Sequence, residues 1–423
     1  MLRHYKNQQY YKFCLYGFFK NLQLFEPFLM LFFIEKGISF IQIGALYAIR
    51  EITILILEIP TGIFADIMGR RKTMVASFLG YILSFILFFF STNYLFLIIA
   101  MLFFSFGSAL RTGTHKAIIF DYLKIKGWES QKLNYYGRTR SWSQIGSAIS
   151  SIFAALVVIY FESYKWVFIF STLPYIVDLA LVLSYPKTLD GPIKSISNQT
   201  LKIRFNTHYK AIKNSLNNLN IWYTLTNLSI FQGYFKSIKD YLQPLIIIAF
   251  TGTYLLNQNT SKDYHTITIG VTYFFIFLLA STTSRNVHKI TRIFKTEKLT
   301  LNTTLYFGLG LGILIGTLLY SNINSVAILF FIIIYILQNI RKPYGATLIA
   351  NKVKNETMAT SLSIQSQLDS IFTAIFALLL GFLANNYPLG KAILYFGVCL
   401  MGLSILFELS ATILPKKHSK SFY

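Results

Sequence analysis

Gly62-Ile63-Phe64-Ala65-Asp66-Ile67-Met68-Gly69-Arg70-Arg71-Lys72 stands between two long apolar runs, near 43–64 and 73–92. Its parts have separate physical uses. Gly62 predicts close approach between helices, and Gly69 a tight turn with positive φ. Asp66 is placed to cap the following turn or to pair with a cation on a neighbouring helix. Arg70, Arg71 and Lys72 hold such a loop against an anionic membrane surface. The whole reads as a short polar hinge between two membrane-spanning helices, a cluster able to latch one arrangement of two moving bundles.

Further apolar runs lie near 13–34, 94–115, 141–161 and 166–185, and again near 221–250, 266–284, 299–320, 325–345, 363–384 and 392–412. With the two around the hinge they make twelve spans of the length a bilayer needs. Composition agrees. Hydrophobic residues are 54% of the 423 and charged residues 13%, about half the charged share of a soluble domain. The fold expected is an all-α polytopic membrane protein, with no independent soluble domain. Cys14 and Cys399 fall in apolar segments, so no disulfide framework is implied. The first run carries Lys20 and Glu26 and lacks a small-residue cleavage site, so it reads as a span and not as a cleaved signal.

The net charge of +23 is concentrated in loops. With the N-terminus inside, 27 Lys and Arg fall in segments on that face, against Lys36, Lys165, Lys262 and Lys391 on the other. That asymmetry predicts an inner-membrane protein with both termini cytoplasmic. The basic runs are short and separated by spans, which argues against nucleic acid as a partner.

The longest polar connection divides the chain into residues 1–185, a linker at 186–220 and residues 221–423. Within the linker Leu201, Phe205, Tyr209, Ile212, Leu216 and Leu219 recur at helical spacing among Lys202, Arg204, Lys210 and Lys213. This predicts a basic amphipathic helix resting on membrane lipid. The two halves also echo one another. Arg111 and Lys124 match Arg341 and Lys354, Ser143-Gln144 matches Ser366-Gln367, and Gly44 matches Gly270. A duplicated six-span unit follows, the usual architecture of alternating-access carriers.

The hinge resembles the loop signature of the major facilitator superfamily, G-x-x-x-D-x-x-G-R-[RK], with every fixed position filled and in the family's place between spans two and three. The resemblance implies two pseudo-symmetric six-helix bundles, with spans one, four, seven and ten lining a central cavity. Arg111 stands where many members carry a fourth-span Arg linked to proton coupling. Departures are clear as well. The loop after the eighth span, 284–298, keeps basic residues but lacks the Asp and both Gly. The fifth span lacks the G-x-x-x-G-P-x-x-G-G run of the family's drug antiporters, which counts against that alternative.

Fifteen charges fall inside spans. Facing lipid they would cost on the order of 40 kcal/mol at roughly 2.5–3.5 kcal/mol each, so they must face one another or a wet cavity. Gln232, Lys236, Lys239, Asp240 and Gln243 form one helical stripe on the seventh span. Gln338, Arg341 and Lys342 do so on the tenth, Gln23 and Glu26 on the first, and Ser108, Arg111 and His115 on the fourth. Glu26, Arg111, Lys236, Lys239, Asp240 and Arg341 are therefore the candidate substrate-binding and coupling residues. Gly62, Asp66, Gly69, Arg70 and Arg71 are the candidate latch. A static Lys236–Asp240 pair is the plain alternative for those two, and an ion pair to Glu26 or Asp240 is the alternative for Arg111. Asp178, on the sixth span, has no evident partner.

No phosphate loop, metal-spaced His/Cys cluster or nucleophile elbow occurs in the sequence, so neither enzyme activity nor a cofactor or metal is expected. The function expected is secondary active transport of a small organic anion or zwitterion, a carboxylate siderophore or metabolite being candidates. It is expected to be proton-coupled, to lean towards efflux and to act as a monomer. The alternatives are a proton symporter importing a nutrient and a multidrug antiporter, with a non-transporting receptor or lipid-handling protein more remote.

Overall fold

The computed structural model describes residues 7–129, 132–191, 219–251, 262–291, 297–352 and 355–413. The expected amphipathic helix of the linker lies outside them, as do Lys354 and residues 292–296 of the loop after the eighth span.

The first span is two helices, α1 (Gln8–Lys20) and α2 (Leu29–Glu35), separated by a bend and a 3-10 turn at Glu26–Phe28. The second and third spans are α3 (Phe40–Met68) and α4 (Arg70–Phe90). The fourth is α5 (Tyr94–Arg111) continued by α6 (Thr114–Ile125), and the fifth and sixth are α7 (Lys132–Phe161) and α8 (Trp166–Leu183). The seventh is again broken: α9 (Leu219–Ile238) and α10 (Leu242–Thr251) flank a 3-10 turn at Lys239–Tyr241. The remaining spans are α11 (Lys262–Thr291), α12 (Glu297–Tyr320), α13 (Asn324–Lys352), α14 (Asn355–Asn386) and α15 (Leu389–Ile413). Among the described residues there is no strand.

Ten of these spans are long and apolar enough to cross a membrane. The first and seventh are the other two. Both read as continuous in the sequence, and the structure corrects that. At the first break, Pro27 lacks a donor and disfavours helical geometry at Glu26. Asn21 closes α1 by donating to the Gly17 carbonyl at 2.7 Å. At the seventh, Pro244 sits in the first turn of α10, where a missing N–H is tolerated. Helix starts elsewhere follow local chemistry. Ser39 and Gln42 form a capping box on α3, and Asn93 accepts from Phe96 N to start α5.

The packing repeats. In the first half α4 lies against α5 and α8, α1 against α7, and α3 against α5. In the second half α12 lies against α13 and α15, α9 against α14, and α11 against α13. These are the same pairings six spans on, so the chain forms two pseudo-symmetric six-helix bundles.

Two seams join the bundles, α3 against α14 and α7 against α11. Both close through a glycine, and these are the glycines that match in the sequence repeat. A Cβ added at Gly44 would lie 2.4 Å from the Ala377 carbonyl, and one at Gly270 would lie 2.7 Å from Ala155 Cβ. Each contact is towards the membrane face away from the termini. Nearer the hinge the first of these seams is bridged by Ser363 on α14, whose hydroxyl donates to Glu58 Oε1 on α3 at 2.9 Å, while a Cβ on Gly62 would meet nothing within 4 Å. The close approach expected at Gly62 is found instead at Gly44, because Gly62 lies on an exposed face of α3.

Gly44→Ala is expected to lower the stability of the detergent-solubilised protein by about 1–3 kcal/mol through overpacking. Gly62→Ala, on an open helical face, is expected to raise it by about 0.5–1 kcal/mol. Thermal unfolding followed by tryptophan fluorescence distinguishes the two.

Candidate functional site

Between the bundles lies a cavity of about 570 Å³, lined from α1, α5, α6, α7, α9, α11 and α13. A second space of about 480 Å³ continues from it between α3, α9, α13 and α14. The two share Arg111, Gln232, Lys236, Gln338 and Lys342 in their walls.

The breaks in the first and seventh spans meet at this level. Lys239 Nζ lies 3.2 Å from Glu26 Oε1 and 2.9 Å from Asp240 Oδ1. Gln243, fully buried, accepts from Met30 N at 2.8 Å and donates to the Glu26 carbonyl at 2.9 Å. One side chain thus ties off backbone groups on both sides of Pro27, an obligatory service inside a membrane. The 3-10 turn also disperses the expected five-residue stripe. Gln232 meets Gln338 across the cavity, while Lys239 and Gln243 serve the first span.

Lys236 does not pair with Asp240. Its ammonium lies 2.9 Å from Glu51 Oε2 on α3, so the pair spans the two bundles. Glu51 is further held by Arg50 at 3.2 Å and by Ser370 on α14 at 3.2 Å. The pairing of Glu51 with Lys236 does not follow from the sequence, because the two residues are brought together only by tertiary packing.

Arg111 lines the cavity and makes neither of the expected ion pairs. It donates to the Tyr81 hydroxyl at 3.3 Å, with the Tyr16 hydroxyl beside it. Arg341, its counterpart in the repeat, lines the second space and is more deeply buried. It is 3% exposed and bonds to Leu301 O at 2.8 Å, to Asn227 Oδ1 at 2.7 Å and to Thr304. Its guanidinium also stands 4.6 Å over the Phe231 ring. Its Nε has no hydrogen-bond partner among the described residues, and the residue forms part of the wall of the second space. His115 is packed, stacked on Tyr16 at 3.5 Å.

Lys20, which the sequence pattern did not single out as a binding residue, lines the cavity on α1. Among the described residues no carboxylate lies within ion-pair distance of Lys20 or Arg111. The signal available in the sequence was Lys20 lying one helical turn below Gln23, which the break in the span obscured.

The hinge residues tie together one bundle. Gly69 takes φ of 90°, as expected, and a Cβ there would press on Asp190 at 2.9 Å. Asp190, and not Asp66, accepts from the Arg71 backbone N–H at 3.0 Å and so caps α4. The Arg71 side chain donates to Tyr185 O at 3.0 Å, and Arg70 pairs with Asp121 on α6. Asp66 is half-buried at the end of α3. These partners lie in the first bundle, and through them Arg70 and Arg71 tie the start of span three to the ends of spans four and six. No group of three or more His, Cys, Asp or Glu positioned to hold a metal occurs among the described residues.

Removing one partner of a buried charge cluster costs about 3–5 kcal/mol. Lys239→Gln is expected to lose that much, and Lys239→Gln/Asp240→Asn to recover at least half. Unfolding of the two variants side by side measures the difference.

Residues 13–368 match the Major Facilitator Superfamily. A segment of 91 residues is 35% identical to an uncharacterized MFS-type transporter, YxaM, of Bacillus subtilis (strain 168), and covers 22% of this chain and 23% of that one. The fold is similar to that of a variant of the nucleoside transporter NupG, at TM-score 0.73 and 14% identity over 95% of this chain and 98% of that chain. It is similar also to a D-xylose–proton symporter, at TM-score 0.65 and 14% identity over 97% of each chain. At such identities these likenesses speak to the fold alone. The family match, the twelve-span architecture and the hinge agree, and the chain belongs to the Major Facilitator Superfamily of multi-pass membrane transporters.

Proposed function

We propose that the protein is a proton-coupled carrier of a small organic anion or zwitterion, working by alternating access as a monomer in the inner membrane. The single observation that carries the substrate class is the pair Lys20 and Arg111. Other cations at this level, Lys236, Lys239 and Arg50, are neutralised by Glu51, Glu26 and Asp240. Lys20 and Arg111 face the cavity without a carboxylate, so a carboxylate- or phosphate-bearing solute supplies the missing charge when water is excluded. A cationic drug would meet repulsion here.

With both termini cytoplasmic, the glycine contacts at Gly44 and Gly270 lie on the outer side of the bundles. Residues 1–185 and 221–423 then act as the two rocking units, joined by 186–220. The Lys236–Glu51 pair is the central contact between them, and the Gly62–Arg71 hinge keeps the first unit rigid. Likeness in fold to a D-xylose–proton symporter is compatible with proton coupling. Export, the direction expected from the sequence, requires that proton and solute displace each other. Import by symport, the second reading, requires that they bind together, and the buried carboxyl of Asp178 favours it.

The test compares solutes inside and outside cells expressing the intact protein or Arg111→Gln at matched membrane abundance. An anionic solute is expected to follow the intact protein, to lose its gradient with a protonophore and to fall at least tenfold in rate in Arg111→Gln. Normal anion transport by a folded Arg111→Gln/Lys20→Gln variant, or a cationic solute in its place, overturns the reading.

A further inference from the structure

Asp178 lies in the middle of α8 with 0% of its surface exposed, and neither carboxylate oxygen has a hydrogen-bond partner. It is absent from the cavity wall, yet the groups that act on it belong to that wall. Lys20 on α1 acts most strongly and Arg111 on α5 next. The other titratable groups around it are phenols: Tyr16 on α1, Tyr175 on α8 itself and Tyr185 just beyond. Tyr81 on α4 and His115 on α6 complete the shell through Arg111. The membrane part of α7, Trp142–Phe161, contributes no charged residue.

An ionised carboxylate with no hydrogen bond and no contact ion pair is among the costliest groups a protein can bury, and such a group neutralises instead. Neutralising it leaves Lys20 and Arg111 on the cavity wall, open to a solute. The arrangement is therefore one acid held behind a wall of two cations that also face the transport space.

We propose that Asp178 is the binding site of the coupling proton, and that it shares Lys20 and Arg111 with the transported anion. This rests on the anion reading above. Protonated, Asp178 leaves both cations to the solute. Ionised, it draws on them and competes with the solute for the same charge. Linkage is reciprocal, so an anion held by Lys20 and Arg111 raises the affinity of Asp178 for a proton by the factor by which the proton raises anion affinity. Proton and anion consequently load together, which makes the carrier a symporter. No covalent step is involved: one proton adds to a carboxylate oxygen from the cavity side and leaves when the solute does.

Infrared spectra of the intact, full-length protein in lipid nanodiscs, recorded from pH 5 to 9 without solute, test the site directly. A protonated-carboxyl band that titrates in this range is expected, and it is absent from Asp178→Asn. Should that variant fail to fold, Asp178→Glu is expected to move the band in frequency. Lys20→Gln imitates capture of the cation by an anion. It is expected to shift the titration to higher pH by about one unit, a tenfold gain in proton affinity. Lys20→Arg, which keeps the charge, leaves the titration in place. Identical spectra for intact protein and Asp178→Asn, or a titration that ignores both Lys20→Gln and Arg111→Gln, overturns the proposal. These readouts use no solute, so their failure would leave the anion reading standing. Failure of the transport assay would likewise leave the carboxyl site standing.

Discussion

Gln243 is the side chain on which the centre of the molecule depends. A helix that breaks inside a membrane leaves backbone donors and acceptors that neither lipid nor water can satisfy. The first span breaks at Pro27, and the amide of Gln243 takes up Met30 N–H and the Glu26 carbonyl from across the bundle interface. Because Gln243 itself follows a break in the seventh span, each irregularity is supported by the other. Regular helix on either side would remove the need for the contact and also the wet, polar waist that the contact creates.

That waist sorts the embedded charges. Glu26, Asp240 and Glu51 lie where Lys239, Arg50 and Lys236 can reach them, and these clusters bind bundle to bundle. Lys20 and Arg111 stand on the far wall of the cavity, against phenols in place of carboxylates. Two pseudo-symmetric halves with the same pairing of helices therefore present unlike electrostatics. The first bundle offers exposed positive charge with a buried acid behind it. The second encloses its equivalent arginine, Arg341, in carbonyls and an aromatic ring.

The seams show the same symmetry used sterically. Gly44 and Gly270 each allow backbone to approach within van der Waals contact of the other bundle. Both contacts lie towards the membrane face away from the hinge. Small residues at a crossing suit surfaces that must part and meet again, since they give close fit without interlocking side chains.

Sequence alone determined the number and limits of the spans, the doubled six-span unit and the hinge, because hydrophobic length and local turn chemistry are properties of neighbouring residues. It also found most residues of the waist, since a charge inside an apolar run is conspicuous wherever it points. It could not decide which charges neutralise which. The helical stripe on the seventh span implied one face, but Lys236 in the helix pairs with Glu51 while Lys239, in the following 3-10 turn, pairs with Glu26. Asp66 looked like the cap of the third span, and the role falls to Asp190, more than a hundred residues away. Arg111 and Arg341 are indistinguishable in sequence, yet Arg111 borders both spaces and Arg341 only the second, held by carbonyls and side chains of its own bundle. Pairing in a low-dielectric interior is set by distances of a few ångströms between separate helices, and only the tertiary packing of the two bundles fixes those.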